Sequence, residues 1–367
     1  MKIATLTIDE YNNHGNILQR YALVKVLNEY TDEVDSLWFD NNSLIEMNWK
    51  KSGMWLNKDY KQIIKFLINR KNFRTNIIFG NNHKIIYRDS LIKSFCDRYI
   101  PMRYDVNFKN IDNEYDYFIV GSDQVWNPCQ GLDFSKLMLG FASPRKRVSY
   151  AASISVPEIP IDKREEFIEG IIGMNCISVR EIEGSNLIKK MTGKDATVVI
   201  DPTLMISTNH WRTIARKPSW LNDNENYLLT YFLGPYSRNI IDKIASKRKL
   251  KVINMFGLKN FDASVVAPEE WLYLIDHASL FYTDSFHGTV FSILFNTPFV
   301  VMDRQGDCKM SSRIDTLLDM FHLGERRGNN TNEFLLNASL ECDFRYVDEV
   351  IKEKKQIAHN YLSQILI

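Results

Sequence analysis

Redox and metal-binding cysteine patterns are missing from this sequence. Its five cysteines, Cys96, Cys129, Cys176, Cys308 and Cys342, are odd in number, widely scattered and never spaced CxxC. That argues against a disulfide framework and a zinc site, and leaves buried thiols as the default. No His/Cys/Glu cluster has ligand spacing, so metal catalysis is not expected. No stretch approaches the roughly 18 uninterrupted apolar residues of a membrane span. The N-terminus enters a strand pattern at once, without signal-peptide grammar, so a cytoplasmic protein is expected. The loop after the first apolar run has neither GxGxxG nor Walker spacing, which weakens a nucleotide-binding reading. Internal repeats and low-complexity tracts are also absent.

What is present points to a globular chain. At 367 residues it exceeds what one hydrophobic core usually organises, so two domains are expected. The net charge of +1 conceals an asymmetry: between Lys50 and Arg103 thirteen basic residues stand against Asp59, Asp89 and Asp97, a local excess of about +10. Trp49, Trp55, Tyr60, Ile64 and Phe66 are interleaved with these charges. Such a stretch suits an anionic membrane surface or a lipid-diphosphate carrier. A solvated helical hairpin covering a sheet edge is the other reading. Nucleic acid is not expected, because the positive character stops at this insertion.

Along the chain, short apolar runs alternate with helical spacing. Ile3–Ile8 reads as a strand, and Ile17, Leu18, Tyr21, Ala22 and Leu27 as a helix face. Further strands are expected at 117–120, 148–152, 177–179 and 197–200, then, after a linker near 218–225, at 227–233, 251–255, 279–283 and 298–302. Helices are expected near 238–249, 268–277, 289–295 and 314–321. This is the grammar of an α/β protein with two Rossmann-like parallel-sheet domains facing a cleft, ligands lying at the carboxyl ends of the strands. We place the N-terminal domain, the expected acceptor side, at 1–217, with the basic insertion at 45–103. The C-terminal domain, the donor or anion side, is placed at 227–345. A last helix within 346–367 is expected to pack back on the first domain.

Polar residues collect after the strands. Asn13, Gly15 and Asn16 follow the first, where a positive φ at Gly15 would turn amides toward a ligand. Ser122, Asp123, Gln124, Trp126 and Asn127 put a carboxylate, two amides and an indole where a sugar could be held; capping by Ser122 and Asp123 is the structural alternative. Arg180 could fork a phosphate or carboxylate while Glu181 orients it or works as a base; an ordinary ion pair is the plainer reading. Asp201 in Asp201-Pro-Thr203 reads as a structural turn residue. In the second domain, His287 and Gly288 sit near a helix N-terminus, with Ser285 and Thr289 beside them. Free amides and the helix dipole there favour an anion, although a simple cap with a satisfied histidine fits as well. Arg313 lies at another helix start, a poor place for dipole compensation and a good one for meeting an anion.

Together, Asn13-His-Gly-Asn16 with Leu18-Gln19, Gly121-Ser-Asp-Gln-Val-Trp-Asn127, Ser149-Tyr-Ala-Ala-Ser153, Ser178-Val-Arg-Glu181, Asp201-Pro-Thr203 and Thr283-Asp-Ser-Phe-His-Gly-Thr289 resemble the polysaccharide pyruvyl transferase family, from about residue 3 to 325. The resemblance implies a GT-B-like fold and transfer of pyruvate from phosphoenolpyruvate to a sugar as a ketal, with no further cofactor. His287 matches the family's histidine before glycine, Arg180 its strand-end arginine, and Arg313, less closely, a basic position after the last strand. The two arginines and the helix start at His287 would hold the donor. His287 would carry protons with Asp123 or Glu181 as partner. The acceptor would be a sugar, either free, polymeric or undecaprenyl-linked. The basic insertion is outside the shared pattern, so peripheral contact with an anionic membrane at the inner face rests on its charge alone. A nucleotide-sugar glycosyltransferase and a non-catalytic assembly component are the rival readings, since fold does not fix function.

Overall fold

In the computed structural model, residues 1–9, 13–39, 81–255, 265–304, 312–328 and 341–366 are described, 81–86 as backbone only. Residues 45–80, most of the basic stretch, therefore lie outside the described residues, as do Cys308 and Ser311.

The first sheet contains β1 (Lys2–Leu6), β2 (Glu33–Leu37), β3 (Met102–Arg103), β4 (Tyr117–Gly121) and β5 (Arg147–Tyr150) in the order β3-β2-β1-β4-β5. Every pairing is parallel. A short parallel pair, β6 (Ser178–Val179) and β7 (Thr197–Val198), joins the β5 edge through the bridges Val148 to Cys176 and Ala152 to Val179. The second sheet contains β8 (Tyr227–Tyr231), β9 (Lys251–Asn254), β10 (Leu280–Thr283), β11 (Phe299–Met302) and β12 (Arg327–Gly328), also all parallel, in the order β12-β11-β10-β8-β9. Parallel strands covered on both faces read as unbroken apolar runs, which is why β10 and β11 are buried along their whole length. Strands β2, β3 and β12 escape the sequence pattern, β2 because EVDSL breaks its apolar run with Asp35 and Ser36, the other two because each has two residues.

In each sheet the strand order reverses once, between β1 and β4 and between β8 and β10. Crevices open at such switch points, beyond the carboxyl ends of the strands. The two domains turn these ends toward one another across the first helix, His14–Leu27, in which every residue but Lys25 is buried. Helix Phe286–Phe295 is buried at all ten positions, as expected of a helix apolar all round. Trp211, Trp271, Phe286 and Phe291 join Ile17, Leu18 and Tyr21 in one core that crosses the domain boundary. Last in the chain, helix Val347–Ser363 meets the first domain through Tyr361, whose hydroxyl donates to the Ser149 carbonyl at 2.8 Å.

One cysteine departs from expectation: Cys129 is in a disulfide, whereas Cys96, Cys176 and Cys342 are free thiols.

His14 also crosses the boundary. Its Nε2 lies 2.8 Å from the Val266 carbonyl, and its ring stacks on Trp271 at 5.9 Å with 4° between planes. A carbonyl only accepts, so Nε2 carries a proton. Burial lowers the His14 pKa to about 4, despite the opposing hydrogen bond to Val266. The unfolded chain then binds the second ring proton, the one that makes imidazolium, more tightly than the folded chain does. Stability should fall as pH drops from about 6.5 to about 4, by roughly 3 kcal/mol if this group acts alone. Urea unfolding of the wild type and of His14→Gln across that window checks this: the slope should flatten in the variant.

Candidate active site

The first domain supplies a carboxylate cluster. Gln19 of the first helix receives the Ser122 amide at 3.0 Å and donates to Thr7 Oγ1 at 2.9 Å, while Thr7 donates to the Ser122 carbonyl at 3.0 Å. These bonds hold the loop after β4 against the end of β1. Asp123 there has φ of 69°, a left-handed conformation that Asp tolerates better than bulkier residues. Its Oδ2 accepts from Asn16 Nδ2 at 3.1 Å, and its Oδ1 from the Gln124 amide at 2.9 Å. After β7, Asp201 caps Pro202–Met205. Its Oδ1 accepts from Thr203 N at 3.0 Å and Thr203 Oγ1 at 2.6 Å. Its Oδ2 accepts from Ser122 Oγ at 2.8 Å and Arg180 Nη1 at 2.7 Å.

The second domain brings the histidine. Asp284, at the end of β10, accepts from the amides of Leu233 and Gly234 at 2.7 and 2.8 Å, tying together the loops that follow β10 and β8. Ser285 then caps the helix by accepting from Gly288 N at 3.2 Å. The next helical turn carries His287 across the cleft, where its Nε2 faces Asp201 Oδ2 at 3.5 Å. The ring lies so close to the first helix that a Cβ on Gly15 would come within 2.5 Å of its Nδ1. Arg313, in the first turn of Ser312–Met320, reaches the same place, 3.9 Å from Asp123 Oδ1. The Gln124 amide lies 2.7 Å from Arg313 Nη1, and with its oxygen on that side accepts from both terminal nitrogens. Arg180 and Arg313 both lie over the Phe286 ring, with their Cζ atoms 4.0 and 5.7 Å from its centroid.

Burial governs the electrostatics. Arg180, Arg313, Asp123, Asp201 and His287 are each at most 5% exposed. Burial alone would push the carboxyls up. For Asp201, His287 and then Arg180 reverse this, and its pKa falls far below the ordinary carboxylate range. Asp123 is also lowered against the effect of burial, by His287, Arg180 and Arg313. Arg313 moves the other way: burial, then the neighbouring Arg180 charge, weakens its hold on its proton. Several polar atoms here are buried without a hydrogen-bond partner, among them Arg180 Nε and Nη2, Arg313 Nε, His287 Nε2 and Asn16 Oδ1. Native interiors seldom leave such groups unmatched, and a site is where they do.

A family model for polysaccharide pyruvyl transferase matches residues 13–306. The chain belongs to the polysaccharide pyruvyl transferase family. No curated protein gives a significant match. Solved structures similar to it include the Methanocaldococcus jannaschii UDP-GlcNAc 2-epimerase in complex with UDP-GlcNAc and UDP, at 14% identity, covering 96% of this chain and 99% of that one, with a TM-score of 0.47. Acinetobacter baumannii MurG is similar at 10% identity, 100% and 99% coverage and a TM-score of 0.41. E. coli ADP-heptose LPS heptosyltransferase II is similar at 8% identity, 96% and 99% coverage and a TM-score of 0.38.

In this pyruvyl transferase family member, several sequence-derived site residues hold other posts. Gly15 is helical without a positive φ, and its missing Cβ makes room for His287 instead of turning amides to a ligand. Trp126 is wholly buried in the first domain's core and donates to the Leu137 carbonyl at 3.1 Å, so its face is closed to a sugar. Glu181 anchors a loop: its Oε1 accepts from Ser153 Oγ, Ile154 N and Ser155 N at 3.0, 2.7 and 2.9 Å. Ser285 caps the helix, Thr289 Oγ1 donates back to the Ser285 carbonyl at 3.0 Å, and Gly288 packs on Thr283 and Phe281. Asn13 caps the first helix, accepting from Gly15 N and Asn16 N, and Asn127 accepts from Cys129 N at 2.9 Å. His287, Arg180, Arg313, Asp123, Asn16 and Gln124 lie in one buried cluster. Asp201, taken from sequence as a turn residue, joins them; its signal was the Asp-Pro-Thr run at a strand end.

The depressed carboxyls make the site acid-sensitive. Asp201 and Asp123 hold protons more weakly when folded, so the stability they lend is present above the unfolded value near ~3.9 and is lost as pH falls through the lower folded values. Urea unfolding between pH 4.5 and pH 2 should show stability dropping steeply in the wild type and less steeply in Asp201→Asn.

Proposed function

We propose that this site transfers the pyruvyl group of phosphoenolpyruvate to two hydroxyls of a sugar in a surface polysaccharide or its lipid-linked precursor, forming a ketal. One observation carries the reading: Arg180 and Arg313, both buried and both with unpartnered N–H groups, converge on Phe286 beside the His287 helix start. A small ligand with a carboxylate and a phosphate on one frame would meet both guanidinium groups and the helix N-terminus at once.

The chemistry follows from that placement. Protonating the methylene carbon of phosphoenolpyruvate creates an oxocarbenium-like centre at C2. One sugar hydroxyl adds there and gives up its proton; the C2–O–phosphate bond then breaks, and the second hydroxyl closes the ketal and gives up its own. Of the two hydroxyl protons, one balances the new methyl group and the other leaves with phosphate. In this reading His287 would carry protons, with Asp123 as its carboxylate partner. Arg180 and Arg313 would stabilise the charge gathering on the departing phosphate. Asn16 and Gln124 would meet the sugar from the first domain. Phosphoenolpyruvate is a co-substrate here, and the scheme calls on no cofactor. The charge of the 45–103 stretch supports the further proposal that the enzyme docks on an anionic membrane to reach an undecaprenyl-linked acceptor.

The test is to incubate the purified protein with phosphoenolpyruvate, nucleotide sugars and a galactose- or N-acetylhexosamine-containing acceptor. Phosphate release with an added pyruvyl mass is expected, and Arg180→Ala or Arg313→Ala should lower kcat/KM by about 10²-fold or more. Nucleotide release without phosphoenolpyruvate consumption would overturn the reading.

A further inference from the structure

His287 has two ring nitrogens, and in the neutral ring only one carries hydrogen. We propose that Asp201 is a positioning residue that keeps the His287 proton on Nε2, leaving Nδ1, on the Gly15 side, to exchange protons with the substrate. Only the identity of that substrate rests on the pyruvyl transfer reading.

Three observations support it. First, Asp201 is fully engaged and cannot swing away: Thr203 holds Oδ1 by two bonds, while Ser122 and Arg180 hold Oδ2. Second, His287 Nε2 is buried without a hydrogen-bond partner, and the group it faces at 3.5 Å is Asp201 Oδ2. An ionised carboxylate only accepts, so a nitrogen turned to it must carry hydrogen. Such contacts are often long in a ligand-free enzyme and tighten in the complex. Third, the first helix packs on the other edge of the ring, and glycine is what lets it: a Cβ on Gly15 would lie 2.5 Å from Nδ1 and from the His287 Cβ, so Nδ1 is the nitrogen next to that helix start. The helix start with Asn13 and Asn16 lies on that side, which is where the acceptor is expected.

The charges around the imidazole favour the same arrangement. Asp201 and Asp123 act on it from the first domain, with Arg180 bound to Asp201 and Arg313 close to Asp123. On its own helix the neighbour is the uncharged Phe286 ring, 5.3 Å away and edge-on. An imidazole with Nε2–H and a free Nδ1 lone pair accepts a hydroxyl proton to become imidazolium and returns it later in the cycle, ending unchanged.

Nitrogen-15 histidine NMR at neutral pH, with His287 assigned by the signal missing from His287→Gln, reads the protonated nitrogen directly and needs no substrate. In the wild type Nε2 should carry the proton while Nδ1 shows a lone pair. In Asp201→Asn the carboxylate charge facing Nε2 is lost, so the proton should shift from Nε2 toward Nδ1 and kcat fall by at least ~10³-fold. A wild-type spectrum with the proton on Nδ1 overturns the proposal, even if Asp201→Asn does not fold. An unchanged tautomer in a folded Asp201→Asn also overturns it. If the tautomer is as expected and phosphoenolpyruvate is not consumed, the substrate reading fails and the positioning role stands. If pyruvyl transfer occurs with the proton on Nδ1, only the positioning role fails.

Discussion

Everything in the cleft depends on how charge is buried there. Two guanidinium groups, two carboxylates and an imidazole have been taken out of water between the domains, at a cost on the order of several kcal/mol per ion before pairing. Asp201 offsets part of it locally, since one carboxylate answers Arg180, faces His287 and is itself held by Thr203 and Ser122. Arg180 belongs to the first domain and His287 to the second, so the same carboxylate also couples the two halves electrostatically.

The scaffold makes that burial possible. A buried polar cluster needs rigid walls, or water enters and the charges relax into it. The walls here are the first helix, apolar or tightly bonded at nearly every position, and helix Phe286–Phe295, buried throughout. Gln19 and Thr7 lock the loop after β4, and Asp284 ties the loops after β8 and β10, so both switch points are fixed by side-chain bonds to backbone amides. His14, stacked on Trp271 and bonded to the Val266 carbonyl, closes one edge of the domain boundary as a neutral ring.

Much of this was legible in the sequence because parallel strands buried on both faces leave apolar runs that need no partner to be recognised. The strands ending at Gly121, Val179, Val198 and Thr283 are of that kind or are flagged by the polar residues after them. What escaped has a physical reason. β2 mixes Asp35 and Ser36 into its run, and β3 and β12 have two residues each. Roles within the site were harder than membership. A tryptophan among amides gives the same sequence signal whether its indole faces a sugar or, as with Trp126, the core. A glycine at a helix start gives the same signal whether it turns an amide outward or, as with Gly15, admits a ring from another domain. Asp201 was read as a turn residue because its cap is local in sequence, while the contacts that give it importance, to Ser122 and His287, span distances that one sequence does not reveal.

Two placements in the cleft run against simple helix electrostatics, and together they describe its field. His287 and Arg313 both stand in the first turn of a helix, where the dipole disfavours positive charge by some tenths of a kcal/mol to about 1 kcal/mol. Arg313 is further weakened by burial and by Arg180. The carboxylates relieve this from one side only, since Asp123 and Asp201 both come from the first domain. Even so, N–H groups of Arg180 and Arg313 remain buried without a hydrogen-bond partner. An anion entering there would complete their hydrogen bonds, strengthen Arg313's hold on its proton and compensate two helix dipoles at once. A neutral ligand of the same size would do none of these, which is the physical ground for proposing an anionic ligand there.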